Sequence, residues 1–103
     1  MDTATKDINM EAERGVMLQV LVNWNLERIP FHELRLQTIR RLGYNLSDDQ
    51  IRFHLNYLEQ GGYAETKLLR SGRADLELTA VRATAKAVDL LEGRLAPDPG
   101  IGT

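Results

Sequence analysis

The sequence contains no cysteine among its 103 residues. A disulfide framework, a thiolate metal site and a cysteine nucleophile are therefore excluded. The chain also lacks any run of about 18 apolar residues, so no membrane-spanning helix is predicted. Its N-terminus places Asp2 and Asp7 around Lys6, which is unlike the basic and then apolar layout of a signal peptide. We expect a cytoplasmic protein that is soluble and does not associate with a membrane.

Positive charge is also scarce. The net charge is −2, which argues against a generic polyanion binder. The charge is unevenly spread, because residues 1–27 carry two basic and five acidic side chains, whereas residues 28–82 carry nine basic and seven acidic ones. The middle of the chain is therefore mildly basic, and such a patch can bind DNA even when the whole chain is acidic.

The length and the 43% of apolar residues fit one domain with one core. Residues 1–9 are polar, and we expect them to be flexible. Residues 94–103 contain both prolines and glycines, so we predict a disordered tail there. The remaining residues, 10–93, form the predicted domain.

Two helices are predicted in the first part of the chain. Apolar residues recur at helical spacing over residues 10–25 and again over 31–42. Pro30 separates the two helices, and Gly43 ends the second. The stretch VMLQVLV in the first helix is apolar nearly all round, so we expect something else to cover its outer side.

The third predicted helix, residues 47–60, carries the clearest local signals. Ser47 can cap its first turn, and Gln50 can reach back to the Ser47 amide to complete a capping box. Gly61 and Gly62 end it. Its inward face holds three apolar residues spaced by four and three: Ile51, Leu55 and Leu58.

A β-hairpin and a last helix follow. The runs YAETKLLR and RADLEL flank Ser71 and Gly72, which indicates two strands around a tight turn. Thr79 can cap a last helix that continues to about Glu92. The predicted fold is mainly α with a small β-hairpin, in the order α-α-α-β-β-α.

This order resembles that of winged helix-turn-helix transcription regulators, and the resemblance covers residues 16–92. It rests on the serine-capped helix, on the pairs His54-Leu55 and Tyr57-Leu58, on Gly62-Tyr63 opening the wing, and on Leu78-Thr79 opening the last helix. The chain is particularly similar to arsenic-repressor-like and multiple-antibiotic-resistance-like bacterial regulators, and to small winged-helix proteins of Mu-like prophages. The resemblance implies a regulator that binds double-stranded DNA.

In those regulators the third helix lies in the major groove and the wing touches the backbone. Carried over to this chain, the 47–60 helix would read bases with Arg52, Phe53 and Asn56. The 63–78 wing would contact phosphates with Lys67, Arg70 and Arg73. Two departures from the family matter. The third helix has no cysteine for metal sensing, and Asp48 and Asp49 in its first turn would repel phosphate.

The apolar first helix and a second apolar stripe on the last helix suggest a homodimer. The predicted interface residues are Leu18, Val22, Ala83, Ala87 and Leu90. The alternative is a monomer in which other helices of the same chain cover the first helix.

A second function remains open, namely a winged-helix protein–protein interaction module that does not bind DNA directly. The acidic first turn of the third helix and the negative net charge favour it. An enzyme is not expected, because we find no nucleophile, oxyanion cradle or phosphate loop. His32 and His54 have no ligand-pair spacing, so we expect them to be structural, and we predict neither a metal nor a cofactor.

Overall fold

A computed structural model of the protein describes residues 3–70 and 77–102. Within these ranges the chain forms a compact small α/β domain of four helices and a three-stranded antiparallel sheet with the strand order β1-β3-β2. None of the described helices is both long and apolar enough to cross a membrane. The elements are α1 (Thr3–Asn23), β1 (Ile29–Pro30), α2 (Phe31–Leu42), α3 (Asp48–Gln60), β2 (Ala64–Arg70), β3 (Glu77–Ala83) and α4 (Ala85–Leu91).

The two helices in the middle of the chain confirm their predicted bounds. α2 ends at Gly43, whose φ of 82° is the left-handed conformation that glycine adopts freely. Ser47 caps α3: its Oγ accepts a hydrogen bond from the Gln50 amide at 3.2 Å, and the Gln50 Oε1 accepts one from the Ser47 amide at 2.8 Å. The predicted inward residues of α3, Ile51, Leu55 and Leu58, are buried.

α1 begins at Thr3 rather than at Met10 and runs through the centre of the domain, where it contacts α2, α3, β3 and α4. These elements cover its apolar surface on several sides. The residues predicted for a dimer interface are consequently occupied within the single chain: Leu18, Ala83, Ala87 and Leu90 are buried, and Val22 is half-buried against the core. These side chains therefore leave little surface for a second copy, and the homodimer stays a prediction.

The boundary between the hairpin and the last helix was predicted wrongly. β3 continues through Thr79 to Ala83, and α4 begins only at Ala85. β3 is paired on both sides: Thr79 lies opposite Leu68 of β2, and Val81 lies opposite Ile29 of β1. Pairing with β2 at Thr79, together with the pairing of Ala80 and Val81 to β1, outweighs the local tendency of Thr79 to start a helix. The predicted turn at Ser71 and Gly72 lies outside the described residues.

The tail predicted to be disordered packs on the domain. Ile101 is buried in the core, and the Gly102 amide donates to the Glu11 carbonyl of α1 at 2.8 Å. The tail lies so close to α1 that Gly15 has no room for a side chain, because a Cβ added there would collide with the carbonyl of Gly102. The tail was mispredicted because its partners lie at the opposite end of the sequence.

Candidate nucleic-acid interface

α3 presents the predicted base-reading residues on its outer face. Capping at Ser47 and burial of the apolar stripe fix which side of the helix faces the core. Arg52, Phe53 and Asn56 are therefore exposed, and the Phe53 ring retains 55% of its accessible surface. Arg52 and Asn56 lie four residues apart, about one helical turn. Arginine and asparagine are the side chains that pair bidentately with guanine and adenine.

Arg52 leans from α3 towards the start of α2. Its guanidinium carbon lies 5.1 Å from the centre of the Phe31 ring, within the range of a cation–π contact. Next to it a cavity of about 190 Å³ opens between α3 and the sheet. Its lining is Phe31, Arg52, Leu55, Glu59, Thr66 and Thr79. The guanidinium of Arg52 thus lies beside Phe31 of α2, at the edge of the cavity between α3 and the sheet.

The hairpin supplies one further predicted contact among the described side chains. Lys67 is exposed on β2, where it lies opposite Ala80 of β3. Arg70 ends β2, but its side chain is outside the description, and Arg73 lies in the segment that is not described. The neighbouring Arg82 is bound by Glu65, with its Nη2 2.7 Å from the Glu65 Oε2.

The charge of α3 itself is negative. Asp48, Asp49 and Glu59 are exposed together with a single cation, Arg52. Asp48 is partly compensated, since its carboxylate lies 3.3 Å from the guanidinium of Arg35 on α2. Arg35 is held in place by the Leu46 carbonyl, which accepts from its Nε at 2.9 Å. Asp49 would therefore repel a phosphate group more strongly than Asp48 would.

Behind this face, α3 carries a buried polar cluster that connects it to α1. The Arg14 Nε donates to the Nδ1 of His54 at 3.2 Å, so the proton of the neutral ring lies on Nε2. That Nε2 lies 2.8 Å from the Glu13 Oε1, and the Tyr44 hydroxyl donates to the Glu13 Oε2 at 2.8 Å. His54 is 2% exposed. The cluster thus holds the His54 ring in the Nε2-protonated tautomer, between the Glu13 carboxylate and the Arg14 guanidinium.

These contacts determine how the cluster titrates. Burial lowers the pKa of His54 below 6.5, and the Arg14 charge acts in the same direction against an opposing effect of Glu13. A proton on Nδ1 would also displace the hydrogen bond from Arg14. Burial and the hydrogen bond to Glu13 raise the pKa of Tyr44 to about 12. His54 is consequently neutral at pH 7, in agreement with its role as both donor and acceptor.

A second set of contacts attaches the tail to the end of α3. The Tyr57 hydroxyl donates to the Asp98 Oδ1 at 2.6 Å, and the Tyr63 hydroxyl donates to the Oδ2 at 3.0 Å. Burial opposes ionisation of Asp98, but these bonds and one from the Gly100 amide outweigh it and lower the pKa of the carboxyl. The guanidinium of Arg14 lies 4.0 Å from the centre of the Tyr57 ring and joins the two sets.

The sequence reasoning did not single out Glu13 or Arg14. A signal was present, because both precede Met17 and Leu18 by three to five residues and continue the buried side of α1 towards its N-terminus. Charged residues that continue an apolar stripe indicate a buried polar contact. His54 contacts Arg14 and Glu13, as a buried histidine with a structural role would.

A shallow groove lies between α1 and the first half of α3. It has a volume of about 320 Å³ and is lined by Met10, Glu13, Asp49, Gln50, Phe53 and His54. The groove is acidic rather than basic, and both carboxylate oxygens of Glu13 already have partners. In the described part of the chain, no three histidine or carboxylate side chains converge as metal ligands would.

The chain was compared with protein families, curated proteins and solved structures. None of the three comparisons found a match. The geometry of α3 and its surroundings therefore carries the functional argument alone.

Proposed function

We propose that the chain is a winged helix-turn-helix protein. The order of its elements supports this proposal, because α2 and α3 are joined by a short turn and are followed by a hairpin. The two-residue strand β1, between α1 and α2, adds a third strand beside β3. α3 is then the helix that such proteins place in the major groove.

We further propose that the protein binds double-stranded DNA and acts as a transcription regulator. One observation carries this proposal: Arg52 and Asn56 are exposed one turn apart on a helix whose opposite side is buried. The exposed Lys67 on the hairpin can contact the backbone on the flank of α3. Asp48 weakens this function less than its position in the sequence suggests, since Arg35 lies beside it.

Fluorescence anisotropy on DNA from upstream of the protein's own operon tests this function. We expect binding at low salt, and a log–log salt slope of roughly −0.9 for each phosphate that the protein neutralises. Arg52→Ala should weaken binding by about 1–3 kcal/mol at the preferred site. The matched control is Arg94→Ala, which removes an exposed arginine that binds Asp89 and Glu92 after α4. Absence of binding at low salt, or equal effects of the two variants, contradicts the proposal.

A second candidate function is a protein–protein interaction module. The exposed Phe53 ring and the excess of carboxylates on α3 favour it, because DNA would be repelled by the same charges. A partner would then place basic and apolar side chains in the groove beside Phe53. Asp49→Asn separates the two functions: it removes a carboxylate that repels phosphate and should strengthen DNA binding, whereas it should weaken a protein partner that places basic side chains in the groove.

A further inference from the structure

We propose that the outer edge of β2 binds the same strand of a second copy of the chain, so that two three-stranded sheets join into one of six strands. In the order β1-β3-β2, one edge of β2 has no neighbour among the described strands. An unpaired strand edge presents backbone donors and acceptors to any chain that can pair with it. The proposal does not depend on DNA binding.

The end of this strand is unusually apolar for an exposed edge. Leu68 is 48% exposed and Leu69 is 38% exposed. Leu78, which lies opposite Leu69 on β3, is 45% exposed. Leu69 and Leu78 share one face of the sheet and Leu68 lies on the other, so a strand that pairs with β2 removes part of Leu68 and Leu69 from water on both faces.

Symmetry and charge favour one register among those centred on the charged stretch of β2, residues 65–67. A two-fold axis perpendicular to the sheet must pass through a residue that faces its own copy. An axis at Glu65 places two carboxylates opposite each other, and an axis at Lys67 places two ammonium groups opposite each other. Like charges in directly opposed positions destabilise a sheet.

An axis at Thr66 places Glu65 opposite the Lys67 of the second copy, twice. Both side chains lie on the same face of β2, because they are two residues apart. Thr66 then faces Thr66, and Leu68 faces the small Ala64. Of the registers centred on the charged stretch 65–67, this is the one in which opposite charges meet, and this self-complementarity identifies a second copy as the occupant.

Sedimentation velocity over a range of protein concentrations tests the pairing. We expect the wild type to associate reversibly. K67E places carboxylates opposite one another and should weaken association about tenfold, since two attractive pairs become repulsive. E65K/R82E reverses the ion pair inside the sheet as well and places ammonium groups opposite one another, with the same expected loss.

A mixture of the two variants provides the decisive control. The carboxylates of K67E then face the ammonium groups of E65K/R82E, so the mixture should associate as the wild type does, although neither variant does so alone. Amide exchange at residues 64–68 should slow with concentration in the wild type and in the mixture only.

A wild type that remains monomeric, association that K67E leaves unchanged, or a mixture that stays monomeric would each overturn the proposal. Circular dichroism verifies that each variant is folded. K67E alters one exposed side chain, so this variant is expected to fold. If E65K/R82E does not fold, the comparison of K67E with the wild type tests the proposal alone.

Discussion

The two sides of α3 differ in what their polar residues contact. On the inner side, His54 and Tyr57 have hydrogen-bond partners in α1 and in the tail. On the outer side, Arg52 and Asn56 form no hydrogen bond to another described side chain. Residues that alternate along one helix therefore serve the fold on one side and remain available for a ligand on the other. Substitutions on the inner side should change stability, and those on the outer side should change binding.

The largest effect should come from Glu13, which accepts hydrogen bonds from two residues. Glu13→Ala leaves the Nε2–H of the buried His54 without an acceptor, and we expect a loss of about 3 kcal/mol in the free energy of unfolding. Glu59→Ala removes an exposed carboxylate from the outer side and should cost less than about 0.5 kcal/mol. Urea denaturation measures both, and losses of equal size would abolish the distinction between the two sides.

A smaller effect should follow from Gly15→Ala, which tests how the tail supports the inner side. Alanine favours a helix over glycine by about 1 kcal/mol. Here the added methyl group collides with Gly102, so we expect a net loss of about 1–3 kcal/mol. Amide exchange at Gly102 should accelerate, because its bond to Glu11 breaks. Gln19→Ala, at an exposed position of α1, serves as the control, and a gain in stability for Gly15→Ala would contradict the tail contact.

The next effect is a pH dependence that originates on the inner side. The pKa of His54 is lower in the folded protein than its value of 6.5 in an unfolded chain. The contribution of the neutral His54 to the free energy of unfolding is therefore fully present above pH 6.5. It is lost as the pH falls towards the pKa of the folded state, since in this range only the unfolded state takes up the proton. His54→Gln should flatten this part of the stability profile in urea titrations, whereas Gln19→Ala, at an exposed position of α1, should leave its shape unchanged. Loss of the Asp98 contribution follows only at lower pH, below 3.8.

The smallest change in stability is expected for Asn56→Ala on the outer side. Its side chain is exposed, so the free energy of unfolding should change by less than about 0.5 kcal/mol. If α3 reads DNA, the same substitution should weaken specific binding by about 1–3 kcal/mol. Urea denaturation and anisotropy on the same preparation measure the two quantities. A large change in stability without a change in binding would show that Asn56 supports the fold and does not contact DNA.

Sequence reasoning succeeded where the signals were local. Ser47 and Gln50 are three residues apart, and Gly43 directly follows the helix that it ends, so the bounds of α2 and α3 could be predicted. The exposure of Arg52 and Asn56 followed from the same helical spacing. What these side chains bind was not determined by spacing, and DNA binding stays a prediction.

Elements whose contacts lie far away in the sequence could not be predicted from local patterns. Thr79 has the local properties of a helix cap, yet it belongs to a strand because it pairs with Leu68 of β2 and because β1 pairs with the next two residues of β3. Asp98 and Ile101 lie in a segment with the composition of a disordered end, and only their contacts with Tyr57, Tyr63 and the core order them. The residues predicted for a dimer interface are buried for the same reason, since the apolar surface of α1 is covered by elements that composition alone does not place. Whether the chain forms a homodimer stays a prediction.

The contact between the tail and α1 also bears on the order in which the protein folds. The bond from Arg14 to the Gly100 carbonyl joins residues 86 positions apart, so forming it closes a loop that includes nearly the whole domain. Contacts of such separation carry the greatest entropic cost and are expected after the local helices and the hairpin. Substitutions at Asp98 or Ile101 should therefore accelerate unfolding while leaving the refolding rate almost unchanged. The tail would then slow the unfolding of a domain whose other elements assemble without it.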